Sequence, residues 1–414
     1  MAGSVRIDMR RIIRVTAGLL LPLCVAVMIG IAVAQQALPS SFYVEEGHAL
    51  VLPNQAVKAY ADGAWQTQTG AGTRYQATVS LFGMFPIGKV DVHVEERREV
   101  AVCGMPFGIK MFTQGVLIVG LSDVDSRQGA KSPARGAGLR VGDCVLSIDG
   151  EEVSSTQQVA QLVETSKGLP LTLRVRRQQS EFDVVLTPIA SVKDACLKAG
   201  MWIRDSAAGI GTLTFYDPAS HVFAGLGHPV NDADTGQQVP ISSGEIVPAG
   251  IFGVSKGKVG SPGELLGSFQ NGSWGVLTAN TQTGLYGVLV EHPTAWATLP
   301  IAYKQDVVAG EAQLITTIDG VTPKMYTVMI EEVDYRDGIP TQNMVIRVTD
   351  EALLDATGGV LCGMSGSPLI QNGALIGAVT HVFVSDPERG YAIFAENMMQ
   401  SAQALCNPAL EDAA

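Results

Sequence analysis

Cys362-Gly363-Met364-Ser365-Gly366-Ser367-Pro368 is the stretch from which the rest of this 414-residue chain is read. A serine closely flanked by glycines sits in a turn ahead of the apolar run Pro368-Leu369-Ile370, where a nucleophile would be exposed. Gly363 and Gly366 have no side chain to hold a substrate carbonyl away. The backbone N–H groups of Gly363 and Ser365 are candidates for an oxyanion hole, which needs donors aimed at developing charge. A glycine-rich hairpin turn without chemistry fits the same seven residues.

A serine hydroxyl is a poor nucleophile until a neutral histidine takes its proton. Of the six histidines, His228 stands out in Phe223-Ala224-Gly225-Leu226-Gly227-His228-Pro229, after an apolar strand and beside glycines. His381, sixteen residues after Ser365 and on the following strand, is the rival base. A carboxylate should fix the imidazole tautomer. Spacing does not choose among Asp217, Asp232, Asp234, Asp306, Asp319, Asp350 and Asp355, because most aspartates in turns cap the backbone.

Charge and composition remove several classes. The chain carries 28 Lys and Arg against 40 Asp and Glu, a formal net charge of −12. That acidity argues against binding nucleic acid or anionic lipid through its bulk, which needs clustered cations. With 46 glycines, 46% hydrophobic and 16% charged residues, the composition is that of a turn-rich β protein rather than a disordered one. Six cysteines are scattered with no CxxC and no zinc-like His/Cys spacing, so neither a metal nor another cofactor is expected. Cys24 falls in an apolar run, and most of the other five are expected to be small buried hydrophobes.

Residues 15–34, VTAGLLLPLCVAVMIGIAVA, hold no charge and follow Arg6, Arg10, Arg11 and Arg14. At about 1.5 Å per residue such a run crosses a bilayer, and the basic flank before it predicts export of everything after it. Ala32-Val33-Ala34 also has the small-residue form of a signal-peptide cleavage site. Without those four Arg and Asp8 the remainder counts 24 basic against 39 acidic residues, or −15.

Beyond the span, residues 36–104 alternate as short strands (Ala77-Val79-Leu81, Val90-Val92-Val94) and form a small β-rich module. Residues 105–190 hold a strand at 145–148 closed by Asp149-Gly150, then Ser154, Ser155 and Thr156 as caps for a helix burying Val159, Leu162 and Val163. The sequence SPARGAGLRVGDCVLSIDGEEV at 132–153 resembles a PDZ domain, which adds a peptide as a strand to a sheet edge. That resemblance implies a carboxylate-binding loop near Pro106-Phe107-Gly108-Ile109. Residues 191–414 are glycine-rich and strand-like, with only 393–405 plainly helical.

Several stretches together resemble the SpoIVB serine peptidases of spore-forming bacteria: LFGMFPIGKVDVHV (81–94), GVLIVG (115–120), RDSAAGIGTLTFYDP (204–218), GHPVNDADTG (227–236), SPGELLG (261–267) and GGVLCGMSGSPLIQNGALIGAVTHVFVSDP (358–387). The resemblance implies a mainly β chain: an N-terminal transmembrane helix or signal with its cytoplasmic basic flank (1–35), the β module, the PDZ domain, and a chymotrypsin-like double β-barrel peptidase (191–414). It places the family's catalytic residues on His228, Asp350 and Ser365. Asp350 lies only fifteen residues before the serine, unlike the acid of chymotrypsin-like enzymes, and fits equally a role in shaping the serine loop. The resemblance further implies a protease anchored at the forespore membrane and facing the intermembrane space. It would cleave itself and the extracytoplasmic part of a membrane regulator, freeing an intramembrane protease that activates a late sigma factor. Its PDZ unit would bind substrate or a second copy in trans. A PDZ scaffold with a dead barrel, or a quality-control serine protease, are the competing readings; the latter usually place PDZ after the protease domain.

Overall fold

The computed structural model describes Val25 and residues 27–36, 38–61 and 72–406. Most of the predicted span, Cys24 and the side chain of Cys406 lie outside the described residues. Residues 27–36 are helical, and among the described residues no helix is long and apolar enough to cross a membrane. The rest is mainly β and divides into two compact units.

The first unit is a four-stranded sheet of β1 (Ser41–Val44), β2 (Val57–Ala61), β3 (Arg74–Leu81) and β4 (Phe85–Val94), ordered β1-β4-β3-β2. Alternation along β3 and β4 places Ala77, Val79, Val90 and Val92 on one buried face, as period-two patterning requires. Sequence continuity predicts this module over 36–104. The structure ends it at Arg98 and adds Ala302–Ala309 and Glu332–Ile339. Those later segments are held by Tyr303 Oη donating to the Glu95 carbonyl (3.1 Å) and by Arg97 pairing with Asp306 (3.0 Å).

In the second unit, β5 (Glu99–Val102) is followed by β6 (Pro106–Leu121), a strand of 16 residues that serves two bodies. Its first half pairs with the far end of β10 (Met201–Tyr216), Phe107 opposite Gly211 and Met111 opposite Ala207. Past a left-handed Gly115 (φ 81) it leaves the barrel and pairs with β7 (Cys144–Ile148). A Cβ on Gly115 would sit 2.5 Å from the Val145 carbonyl oxygen, so this bend requires glycine. The PDZ body continues through α1 (Thr156–Thr165), β8 (Leu171–Arg177) and β9 (Ser180–Leu186). Ser155 caps α1 by accepting from Gln158 N, and Val159 and Val163 enter the PDZ core.

Two closed barrels follow. The first is the ring β6, β12 (Ile241–Ser255), β13 (Gly275–Thr281), β14 (Gly284–Leu289), β11 (Val222–Gly225) and β10, closed by the β6–β10 pairing. The second is the ring β15 (Gly310–Thr316), β16 (Lys324–Val333), β17 (Met344–Val348), β20 (Asp386–Phe394), β19 (Ala374–Phe383) and β18 (Pro368–Gln371). Helix α2 (Glu351–Thr357) feeds the serine turn. The terminal α3 (Ala395–Cys406) packs Met398 and Met399 into a core shared by both barrels, with Val102, Phe215, Ile370 and Ile393. The PDZ body is thus inserted between two strands of the first barrel. Sequence order suggests instead that the barrel begins at 191, because pairings roughly a hundred residues apart leave no local pattern.

Candidate active site

Ser365 lies in the turn between α2 and β18, and neighbours from both barrels fix its backbone. Thr212 N donates to the Ser365 carbonyl (2.9 Å) and Thr212 Oγ1 to the Gly363 carbonyl (2.9 Å). Thr214 Oγ1 reaches the Gly366 carbonyl (2.7 Å), and Gly366 N donates to Val379 O (2.7 Å). Gly366 has φ +93, and a Cβ there would lie 2.1 Å from Thr212 O and 2.5 Å from Leu226 N. Only glycine permits this contact between the serine turn and the chain leading to His228. The Ser365 hydroxyl donates to the Thr380 carbonyl (2.8 Å). Among the described residues the N–H groups of Gly363 and Ser365 donate to no protein acceptor, as oxyanion donors would require.

His228 follows β11 after Leu226 and Gly227, both left-handed (φ 64 and 70). A non-glycine residue in that region stores strain, a frequent feature of functional turns. Nδ1 of His228 is 2.8 Å from the Pro229 carbonyl. Since a carbonyl only accepts, this contact sets the proton on Nδ1 and leaves Nε2 as the basic nitrogen. Nε2 makes no hydrogen bond among the described residues. The ring packs on that of His381, centroids 4.7 Å apart and tilted 36°. His381 follows directly on Thr380, the residue whose carbonyl holds the Ser365 hydroxyl. Burial lowers the His228 pKa to about 4; the Pro229 carbonyl opposes that shift and the His381 charge adds to it. Partial burial moves His381 in the same direction.

Asp350 is not joined to this cluster. Its Oδ1 accepts from Leu353 N (3.0 Å) as the N-cap of α2, and Oδ2 accepts from Thr327 N (3.4 Å). Among the described residues it makes no hydrogen bond to His228. The expected triad contact is therefore replaced by a cap, and the Pro229 carbonyl fixes the imidazole tautomer in place of a carboxylate. The loop after His228 is held by Asn280, which bonds Val230 N, Val230 O and Val239 O, each at 2.9 Å. Buried Asp232 anchors it too, pairing with Arg204 of β10 and accepting from Thr235 N (2.9 Å). Thr212, Thr214, Thr380 and Asn280 have no local signature, since their partners lie 39 to 152 positions away. Cys103 and Cys144 are buried as expected, Cys196 is half-buried, and Cys362, beside the serine turn, is exposed.

The predicted carboxylate-binding loop is corrected as well. Pro106, Phe107, Gly108 and Ile109 lie inside β6, paired with Gly209–Thr212 on one side and with residues 246–248 of β12 on the other. Phe107 and Ile109 are buried in the first barrel core, so this backbone has no edge to offer a peptide. The open edge lies elsewhere. Residues 201–204 of β10 pair with β6 on one side only and flank α1, around a cavity of about 610 Å³ lined by Val159, Ala160, Val163 and Met201 among others.

Two family models match the chain: SpoIVB peptidase S55 over residues 195–399 and a PDZ domain over 124–177. Residues 195–399 are a SpoIVB peptidase S55 segment. Ser365, His228 and Asp350 all fall inside the matched segment. The zinc metalloprotease RasP of Geobacillus kaustophilus (strain HTA426) is 23% identical over 146 residues, 30% of this chain and 32% of that protein. The chain thus spans about a third of the length of this curated relative. Among solved structures, the HtrA-type protease AlgW with a decapeptide is 13% identical, covering 49% of this chain and 54% of that one, TM-score 0.29. The inactive form of the Rv3671c protease is 15% identical, covering 48% and 84%, TM-score 0.27. The PDZ domain of an SdrC-like protein from Listeria monocytogenes is 18% identical, covering 22% and 87%, TM-score 0.18.

Proposed function

We propose that the chain is an exported serine endopeptidase, anchored by its N-terminal run, in which His228 Nε2 deprotonates Ser365. Ser365 Oγ attacks a peptide carbonyl, and the N–H groups of Gly363 and Ser365 receive the oxyanion. The proton on His228 then passes to the leaving amine, and water hydrolyses the acyl-enzyme by the reverse sequence. The observation carrying this reading is the meeting of the serine turn and the His228 turn where the barrels adjoin, Gly366 packed on Leu226. In the resting arrangement the hydroxyl is parked on Thr380 O, so productive attack needs a rotation of Ser365 about χ1. Catalytic hydrogen bonds commonly tighten only in the complex with substrate.

The finer assignment rests on the sequence resemblance. The substrates are the chain itself and the extracytoplasmic part of a membrane regulator of an intramembrane protease, on the path to a late sigma factor in sporulation. The place is the forespore membrane facing the intermembrane space. The PDZ body presents substrate or a second copy along the open edge at 201–204, where an extended peptide can add beside α1. Asp350 keeps the place of the family's acid in this assignment and acts through the serine turn that its helix feeds.

Fluorophosphonate labelling of the full chain, with the adduct mapped by mass spectrometry, tests the chemistry. Labelling at Ser365 that disappears in Ser365→Ala and in His228→Ala is the expected result. Undiminished labelling of His228→Ala with loss in His381→Ala would transfer the base role to His381, a second reading favoured by its contact with the ring and its position next to Thr380.

A further inference from the structure

We propose that the hairpin turn at residues 82–85 is a second membrane contact, dipping into the lipid interface beside the N-terminal apolar run. This rests on the reading above that residues 15–34 lie in a bilayer. The turn between β3 and β4 projects large apolar side chains into solvent: Phe82 is 61% exposed, Met84 72% and Phe85 41%. Val51 (75%) belongs to the loop alongside, where Phe82 N donates to the Ala56 carbonyl. Phe82 is itself left-handed (φ 53) and Met84 N donates to Leu81 O (3.1 Å), so a tight turn holds these side chains outward. Soluble surfaces rarely leave such an apolar cluster uncovered unless something binds it.

Register identifies the occupant. β1 runs parallel to β4, with Ser41 opposite Asp91 and Val44 opposite Val94. Traced backward from Ser41, the chain therefore moves toward the Phe85 end of β4. Leu38 confirms the direction, lying 3.5 Å from where a Cβ of Gly88 would be. The chain leading from the apolar run into β1 thus enters the module at the same end of the sheet as the exposed turn. Charge is segregated to match: residues 51–58 and 80–90 contain no Asp or Glu and carry Lys58 and Lys89, in a chain of net charge −12. An apolar tip flanked by two lysines and no acid suits the boundary between acyl chains and anionic headgroups. One weak anchor gives reversible binding and two give stable binding, so the turn would steady the chain beside its span and, after cleavage of the span, hold it at the membrane only reversibly.

The test is photo-crosslinking in vesicles of phosphatidylcholine and phosphatidylglycerol, with p-benzoylphenylalanine placed in the full chain at Leu20, Met84 or Glu46. Glu46 is exposed in the same unit and lies at the opposite end of the sheet. The expected result is lipid adducts from positions 20 and 84 and none from 46. Adducts from 20 without any from 84 would overturn the second contact and leave the anchor standing. No adduct from 20 would overturn the anchor reading and this proposal with it. Protein adducts from 84 in place of lipid would overturn it in favour of a protein partner or a second copy.

Discussion

At the scale of single residues, the behaviour of the site turns on keeping His228 neutral. An imidazole in water titrates near pH 6.5, whereas burial lowers this one to about 4. A base must be unprotonated to accept the serine proton, so the acid limb of kcat/KM is expected well below pH 6.5, with half-maximal activity near pH 4. An acid limb at or above pH 6.5 would contradict the described environment. The same shift has a stability consequence of fixed sign. The unfolded chain binds this proton first, so folding stability from His228 is complete above about pH 6.5 and falls as the pH drops toward 4. Denaturant midpoints measured across that window should decline on acidification, and His228→Phe should flatten that part of the profile. His381 supports the ring from the side, so His381→Ala is expected to lower kcat about tenfold or more, and His381→Phe, which keeps a ring there, to recover most of it.

At the scale of elements, α2 and the serine turn act as one piece. Asp350 caps the helix whose C-terminus passes through Gly358 and Gly359 into residues 360–367, so capping bears on where Ser365 sits. Magnitudes separate a cap from a triad acid. Asp350→Ala should cost about 1 kcal/mol of stability, while Asp350→Ser keeps an oxygen acceptor and should cost less. A cap predicts that Asp350→Ser retains activity within about tenfold; a triad acid predicts a loss of about 10⁴ in kcat. At Gly366 an added methyl would strike Thr212 O, so Gly366→Ala must push the serine turn away from the first barrel. A displacement near 1 Å can cost about 10²-fold in rate, so slow probe labelling with an unchanged circular-dichroism spectrum is expected.

For the whole molecule, β10 joins the functions along a single strand. Residues 201–204 form the open PDZ edge, and Asp205 accepts from Thr156 N at the start of α1 (2.8 Å). Arg204 grips Asp232 and Asp234 in the His228 loop, and Thr212 and Thr214 hold the serine turn. Removing Arg204 leaves the buried carboxylate of Asp232 without its cation, which costs about 1–3 kcal/mol when compensation is incomplete. Arg204→Ala should therefore lower kcat more than it changes KM, although the arginine is remote from the serine. Equal kcat in the variant and the native chain, with Tm lowered alone, would make the ion pair structural only.

Local chemistry made the principal parts legible. Period-two alternation marked the strands, Ser155 and its apolar stripe marked the PDZ helix, and glycines around Ser365 and before His228 marked the two turns. These signals are readable because each depends on residues a few positions apart. Only the tertiary structure showed that the PDZ body interrupts the first barrel, that Pro106–Ile109 is a buried strand, that Asp350 caps a helix, and that His381 lies against His228. All but the Asp350 cap, whose partner Leu353 N is three residues away, depend on which distant strand supplies the partner for a backbone or side-chain group. A carboxylate reads the same in sequence whether it faces an imidazole or a helix N-terminus, and chain closure over a hundred residues decides between them.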